Sequence, residues 1–551
     1  MIDGIEFVIR WPEGPPLLRT YLHSWDSLAA FFAADPWRIE GYRRQATAVR
    51  SRFDIGARSK LRDYVRPAGE AGRQRVASAL AEGVLVTTGQ QPALFGGPLY
   101  NVYKIATTIA LADRLQAELD VPTAPVFWIG SDDHDWAEAN HTHLLTPDNQ
   151  LCRIALPPER DAQAPPLSLR ILDGAIETAL DDFAQVIPET EFKGPLLRRL
   201  RAAYRPGVGF GAAFGSLVAD WFADTGLALV DAADPALKKA SAGLLASEAA
   251  ATSRTEQALV ERTDQLERAG FEPRLAVLPG ATNLFYHGAT GRQRIAHSAG
   301  RFHAGGAGRS WEESELIAEI GANPERFSPN VALRPVVEAA TLPTICYVGG
   351  PAEVAYWAQL GGLFAFHGID MPVVFPRLGA TLLEGKIGKV LDKFDLDLDD
   401  FAAPAHELAS RVAREQLPAE AAAALAALRR TIERGYADLE SAATPIDPTL
   451  AGPIAAARNA SLREVERAEV KILRQLKHRN AVALQQVEKA RMNLYPADRP
   501  QERVLNPAQY LARYGPRFIA AVRSAFESRV NIGGDIARGP IGGLPVSSTR
   551  G

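Results

Sequence analysis

Six short runs in the first 380 residues are apolar at nearly every position: VLVTT (84–88), APVFWIG (124–130), LALVDA (227–232), LAVLPG (275–280), TICYVGG (344–350) and MPVVFPR (371–377). A strand with one wet face alternates polar and apolar residues, whereas a strand covered on both faces does not. The stretches between these runs have helical character, so the pattern predicts an α/β fold, a mostly parallel sheet covered by helices. Ligands of such sheets gather at the carboxyl ends of the strands, which directs the search for chemistry to the residues just after each run.

The pattern changes after Lys386. From 403 to 495 the chain is rich in Ala, Leu, Glu and Arg and contains no strand-like run, with one break at SAATPIDPTLAGP (441–453). Leu425, Leu428, Ile432, Tyr436 and Leu439 before the break recur at spacings of three and four. Val465, Ile472, Leu476, Asn480, Ala483, Val487, Ala490 and Leu494 continue a seam of the same kind after it, with Asn480 its one polar member. Such a stripe predicts two long helices in an antiparallel hairpin. The second, at about 1.5 Å per residue, would be roughly 60 Å long, more than a compact core needs, so part of its stripe is expected to face a second copy of the chain; an intramolecular bundle is the alternative. The expected domains are therefore a core over 1–385 with insertions at about 150–215 and 285–325, a helical dimerisation domain over 386–498, and a segment over 499–551 that returns to the core and ends in a frayed Gly/Pro/Ser tail.

Charge and cysteine content narrow the function classes. Lys and Arg total 61 against 65 Asp and Glu, a formal balance of −4, which provides no global field for nucleic acid or an anionic membrane. Only Cys152 and Cys346 are present, too few for a disulfide framework or a zinc site of several thiolates, as expected of a reducing cytoplasm. The start lacks the pattern of a secretory signal, and no run of 18 apolar residues occurs, so a cytoplasmic, unanchored protein is expected.

Four segments carry candidate chemistry. In TTGQQPALFGGPLYNVYK a strand runs into Gln90 and Gln91, then Gly96, Gly97 and Pro98 open a helix whose first N–H groups suit an anion. The same pattern fits a plain β-to-α turn, although two adjacent amides are an unusual choice for one. In WIGSDDHDWAEANHTHLL, Asp132, Asp133, His134, Asp135, Glu138, Asn140, His141 and His143 follow a buried strand. Three readings remain open there: a divalent metal site, a polar pocket in which a His–Asp pair handles a proton near neutral pH, or a satisfied structural network. In FSPNVALRPVV and YVGGPAEVAYW, Arg334 is a candidate anion clamp, and Gly349, Gly350 and Pro351 repeat the strand, glycine, proline, helix arrangement. Glu353 and Tyr356 follow on one helical face, where Glu353 is also electrostatically favoured simply as a first-turn residue. FPRLGATLLEGKIGK supplies Arg377, Thr381, Lys386 and Lys389, a set suited to phosphate or, for the lysines, to a solvated helix face. GVGFGA (207–212) follows no strand and is weak as a dinucleotide motif, and Cys346 in its apolar run reads as a core residue.

Taken together and in order, TGQQPALFGGPLYNVYK, PVFWIGSDDHDWAEANH, SPNVALRPVV, YVGGPAEVAYWAQL, FPR, ERVLNP and YLARYG resemble the blocks of one family, the cysteine-adding enzymes of bacillithiol biosynthesis, over nearly the whole chain. The resemblance implies a Rossmann-type core similar to class I nucleotidylyl transferases, connecting insertions, and a coiled coil that forms a homodimer. It implies a ligase that joins the carboxyl of cysteine to the amine of glucosaminyl malate. ATP is the expected activating cosubstrate, although neither HIGH nor KMSKS appears, and no metal is expected. On this reading Gln91, Asp133, His134, Asp135 and Glu353 are candidate catalytic residues. Gln90, Gly96, Gly97, Tyr100, Lys104, His141, Asn283, Asn330, Arg334, Tyr347, Gly350, Tyr356 and Arg377 are candidate substrate-binding residues. Thr381, Lys386 and Lys389 are candidates for the nucleotide. The two Gly-Gly-Pro helix starts are expected side by side, both facing one pocket. The competing readings are a metal-dependent hydrolase built on the 132–143 cluster and a coiled-coil scaffold without catalysis.

Overall fold

The computed structural model describes residues 2–159, 165–415, 417–479 and 481–532. The chain divides into two compact units, Met1–Leu382 with Gln501–Gly551, and Leu383–Pro500.

The first unit is built on a six-stranded sheet in the order Val373–Pro376, Thr344–Gly349, Val84–Gln90, Thr123–Ile129, Ala228–Asp231 and Arg66–Pro67. The first five run parallel and the short last one antiparallel. Leu85, Val86, Ala124, Val126, Phe127, Ile345 and Val348 are completely buried, so the runs that lack alternation are the strands covered on both faces. The central strand Val84–Gln90 feeds the long helix Leu99–Leu119, whose Val102, Ile105, Ala106, Ile109 and Leu115 pack into the core.

One expected strand is absent. LAVLPG (275–280) is irregular, and Leu278 is about half exposed. The backbone N–H groups of Arg274 and Leu275 are taken by the side-chain oxygen of Gln359, at 2.8 and 2.9 Å, and the Gln359 amide donates to the Leu275 carbonyl. A side chain thus satisfies the groups a ladder would have used, and Pro273 and Pro279 cannot donate to one.

Immediately after it the chain forms a five-stranded antiparallel sheet that the sequence did not announce, in the order Arg309–Trp311, Arg301–Ala304, Gly291–Ser298, Ala281–Gly288 and Phe327–Pro329. Residues 150–215 begin with the strand Leu151–Ala155, which pairs with His141–Leu145, and continue through the helices Ala175–Val186, Lys193–Ala203 and Phe210–Trp221. The GVGFGA segment is the lead into the last of these helices. Cys346 is fully buried in its strand, and burial pushes its thiol pKa up.

In the second unit the helices Ala419–Ala443 and Ala451–Arg479 form an antiparallel hairpin, as the pairs Tyr436–Ser461 and Arg429–Glu469 establish. Glu469 also accepts an ion pair from Arg414. A further helix, Ala481–Leu494, packs Val487, Ala490 and Leu494 against Ile387, Leu391, Phe394, Phe401 and Leu408. Leu428, Leu439 and Val470 on the hairpin are each about half exposed. Asn480 and the Gly/Pro/Ser tail lie outside the described residues.

Candidate functional site

The ends of three parallel strands and the helices that follow them enclose a cavity of about 430 Å³. Its floor begins where the Val84–Gln90 strand ends. Tyr100 and Lys104 stand four residues apart on the next helix and so share a face. The Lys104 side chain is 1% exposed; its ammonium donates to the Gly89 carbonyl at 2.6 Å and the Gln90 side-chain oxygen at 3.3 Å, and pairs with Glu353 at 2.5 Å. Gln90 donates to the Tyr100 hydroxyl at 3.2 Å. Burial lowers the Lys104 pKa, and Glu353 offsets this only in part. The same burial pushes Glu353 up, but Lys104, Tyr347 and the Gly350 N–H together hold it below the usual carboxylate range. Glu353 therefore caps its helix and also lines the cavity. It accepts the Gly350 N–H at 2.7 Å, capping its own helix, and the Tyr347 hydroxyl at 2.5 Å, inside the cavity.

Three further arginines, Arg334, Arg377 and Arg292, line the cavity. Arg334 pairs with buried Glu338 at 2.6 Å and lies 5.2 Å from the Tyr347 ring centre. Burial alone would lower the Arg334 pKa, but Tyr347, Tyr356 and Glu338 raise it well above its ordinary value. Arg377, 2% exposed, is held by both carboxylate oxygens of Glu502, at 2.5 and 3.0 Å, and lies 5.6 Å from the Tyr100 ring. Arg292 comes from the antiparallel sheet, stacks 3.9 Å over Phe285, and donates to Ser328 and the Pro329 carbonyl. His287 shares Ser328 at 2.7 Å, and burial first, then Lys238 and Arg292, bring its pKa down to about 2, so it is neutral.

Gln90, Gln91, Tyr100, Lys104, Asp133, Asn330, Arg334, Tyr347, Gly350, Glu353, Tyr356 and Arg377, all picked out from the sequence, line this one cavity. The 132–143 segment divides. Asp132 lines the cavity and is gripped by buried Lys238, 2.8 Å from both its oxygens. Asp133 accepts the His134 backbone N–H at 2.7 Å; burial pushes its pKa up but the His134 contacts bring it down overall. His134 lies beside Asp133, at 3.5 Å, and is not part of the lining. Asp135 caps the short helix Trp136–Ala139 through the Glu138 N–H. His141 sits on a hairpin strand with its ring edge-on to His143 and beside Asn140. Among the described residues no group of three His, Cys, Asp or Glu is arranged to hold a metal ion. Asn283 stands one hydrogen bond behind the lining, joined to Asn330.

The expectation of two facing helix starts is corrected. Gly96 has φ +90°, and a Cβ there would lie 2.5 Å from the Trp221 ring; one on Gly97 would lie 2.6 Å from the Asn101 amide. Asn101 donates to the Gly96 carbonyl, and the Leu99 N–H is taken by Leu505 at 2.9 Å. Core packing fills that helix start, and only Gly350 and Pro351 reach the cavity. Thr381 lies on the strand Gly379–Glu384 outside the lining, and Lys386 and Lys389 lie on a helix of the second unit.

Glu138, one of the polar residues noted after the buried strand, also lines the cavity, as do Trp128, Arg292 and Arg503, which the sequence reading gave no role. Trp128 is the next-to-last residue of the strand Thr123–Ile129, and that position could have suggested it. Arg503 stood in the ERVLNP block without a role, and Arg292 had no local signal at all.

Two family models match. One, described as the bacillithiol biosynthesis BshC N-terminal Rossmann-like domain, covers residues 7–378; the other, the BshC C-terminal coiled-coil domain, covers 380–530. Similar curated proteins carry the name "Putative cysteine ligase BshC". That of Symbiobacterium thermophilum is 33% identical over 94% of this chain and 96% of its own length. The Salinibacter ruber protein is 31% identical over 93% and 94%, and the Bacillus licheniformis protein 28% identical over 92% and 94%.

Proposed function

Since this chain belongs to the BshC family of bacillithiol biosynthesis, we propose that it is a cysteine ligase joining the carboxyl of cysteine to the amine of glucosaminyl malate to form bacillithiol. The observation that carries this reading is the cavity lining, in which Lys104, Arg292, Arg334, Arg377 and Arg503 are interleaved with Asp132, Asp133, Glu138 and Glu353 at the carboxyl ends of parallel strands. Amide formation brings together a carboxylate donor, a dicarboxylate acceptor and a free amine. Guanidinium groups bind carboxylates in a planar, directional way. In this reading Arg334 and Arg292 receive the malyl carboxylates.

ATP would supply the activation: a cysteine carboxylate oxygen would bond to the α-phosphorus as the bond to pyrophosphate breaks, and AMP would carry that oxygen away when the amine nitrogen bonds to the carbonyl carbon. The amine attacks only as the free base and sheds one proton on forming the amide. Asp133, ionised and lining the cavity, is the acceptor of that proton. Glu353 and Tyr356 face the acceptor sugar, and Gln91 orients the cysteine. The protein works in the cytoplasm as a homodimer joined through the hairpin on which Leu428, Leu439 and Val470 are exposed.

The test is a deletion strain supplied with this chain. Restored bacillithiol with the wild-type protein, and accumulated glucosaminyl malate with Asp133→Asn or Arg334→Ala, are the expected results. Failure of the wild-type chain to restore the thiol overturns the assignment.

A further inference from the structure

Resting on that reading, we propose that Glu248 is a positioning residue that sets Arg334 through a one-way relay of buried amides. Glu248 is wholly buried on the helix Pro235–Ala250 and does not line the cavity. The relay starts at Asn330, whose side-chain oxygen accepts the N–H groups of Ala332 and Leu333, both at 2.9 Å. That oxygen is thereby committed as an acceptor, and the Asn330 NH₂ must donate, which it does to the Asn283 side-chain oxygen at 2.8 Å. Asn283 in turn has only its NH₂ left to offer, and this donates to Glu248 at 2.8 Å. The last member must therefore be an acceptor. A carboxylate meets the requirement without ambiguity, and Thr255 donates to the same oxygen at 2.9 Å while His367 lies 3.0 Å from the other.

The relay ends on the loop that carries Arg334. Besides the two side-chain bonds, the Asn330 N–H donates to the Asn283 carbonyl at 2.8 Å, and the Asn330 carbonyl accepts the Arg334 N–H at 2.9 Å. Residues 330–334 are thus pinned from behind, and Arg334 opens its helix with its guanidinium against the cavity. Two amides and a carboxylate in the interior are a costly way to fill space, since each must be satisfied. What they supply that apolar side chains would not is a fixed direction for the loop.

The experiment compares Glu248→Gln, which keeps an acceptor oxygen for Asn283, with Glu248→Leu, which does not. Three readouts are taken on the full-length protein: thermal midpoint, backbone hydrogen exchange in the peptide spanning 330–334, and thiol restored in the deletion strain. For Glu248→Leu we expect exchange in that peptide to be at least about tenfold faster than in wild type and thiol output to fall about 10- to 100-fold, with Glu248→Gln close to wild type in both. Asn283→Ala makes the same comparison if Glu248→Leu does not fold. Wild-type exchange at 330–334 in the variant lacking the acceptor overturns the relay. Failure of the wild-type chain to restore thiol instead overturns the ligase reading, and the exchange measurement still judges the relay.

Discussion

Replacing Glu353 by Gln tests whether the cavity is organised around a buried ion pair. The amide oxygen can take the place of Oε2 and still accept the Gly350 N–H, so shape and capping are retained, while the NH₂ in the place of Oε1 donates to the Tyr347 hydroxyl instead of accepting from it; Lys104, 1% exposed, loses its counter-charge. Breaking a fully buried pair costs about 3–5 kcal/mol. Glu353 is 23% exposed and Lys104 keeps the Gly89 and Gln90 oxygens, so a loss of about 1–3 kcal/mol is expected here. The pH dependence follows from sign. Burial lowers the Lys104 pKa in the folded protein, and the loss of Glu353 lowers it further, so the folded variant binds fewer protons than the unfolded chain as pH rises. Its stability therefore recovers with increasing pH, and the deficit relative to wild type narrows between neutral pH and the ordinary lysine range. Urea unfolding followed by tryptophan fluorescence at several pH values measures this. The double variant Lys104→Met/Glu353→Gln, which removes both charges, is expected to regain part of the loss. A deficit that is constant with pH, together with a double variant no more stable than the single one, would refute the argument.

Glu502→Gln leaves Arg377 buried without its bidentate partner, and a loss of about 3–5 kcal/mol in urea unfolding is expected. Gly96→Ala combines φ +90° with a 2.5 Å approach to Trp221, and a stability loss of at least about 1–3 kcal/mol in the same assay is expected, whereas Gly174→Ala, with nothing within 4 Å, provides the neutral control. Replacing residues 400–495 by a short linker should leave a folded, monomeric core by light scattering, and a truncated protein that is still dimeric would remove the coiled-coil argument. His141→Ala, outside the cavity lining, should leave restored thiol levels near wild type in cells, while Asp133→Asn abolishes them.

The amino-acid sequence alone determined the architecture and the edge of the sheet that carries the cavity, because those depend on short-range pattern. Strands without alternation must be covered on both faces, and the residues directly after Gln90, Ile129 and Gly349 then fall at one edge. The helical hairpin was legible for the same reason, since a stripe at spacings of three and four has few other uses. What the tertiary structure decided is what each polar residue does. Glu502, 125 residues after Arg377 in the chain, and Glu353, 249 after Lys104, choose their partners by folding, and no local spacing encodes either pairing. Arg292 reaches the cavity only because an unannounced antiparallel sheet delivers it. Gly97 and Gly350 each stand directly before the proline of a Gly-Gly-Pro helix start, yet Asn101 and Ala93 crowd the first while the second lines the cavity. Local pattern specifies backbone form because it acts over one or two turns, whereas burial, charge pairing and space depend on which distant segments arrive, and those decide which of several equally plausible polar loops becomes a site.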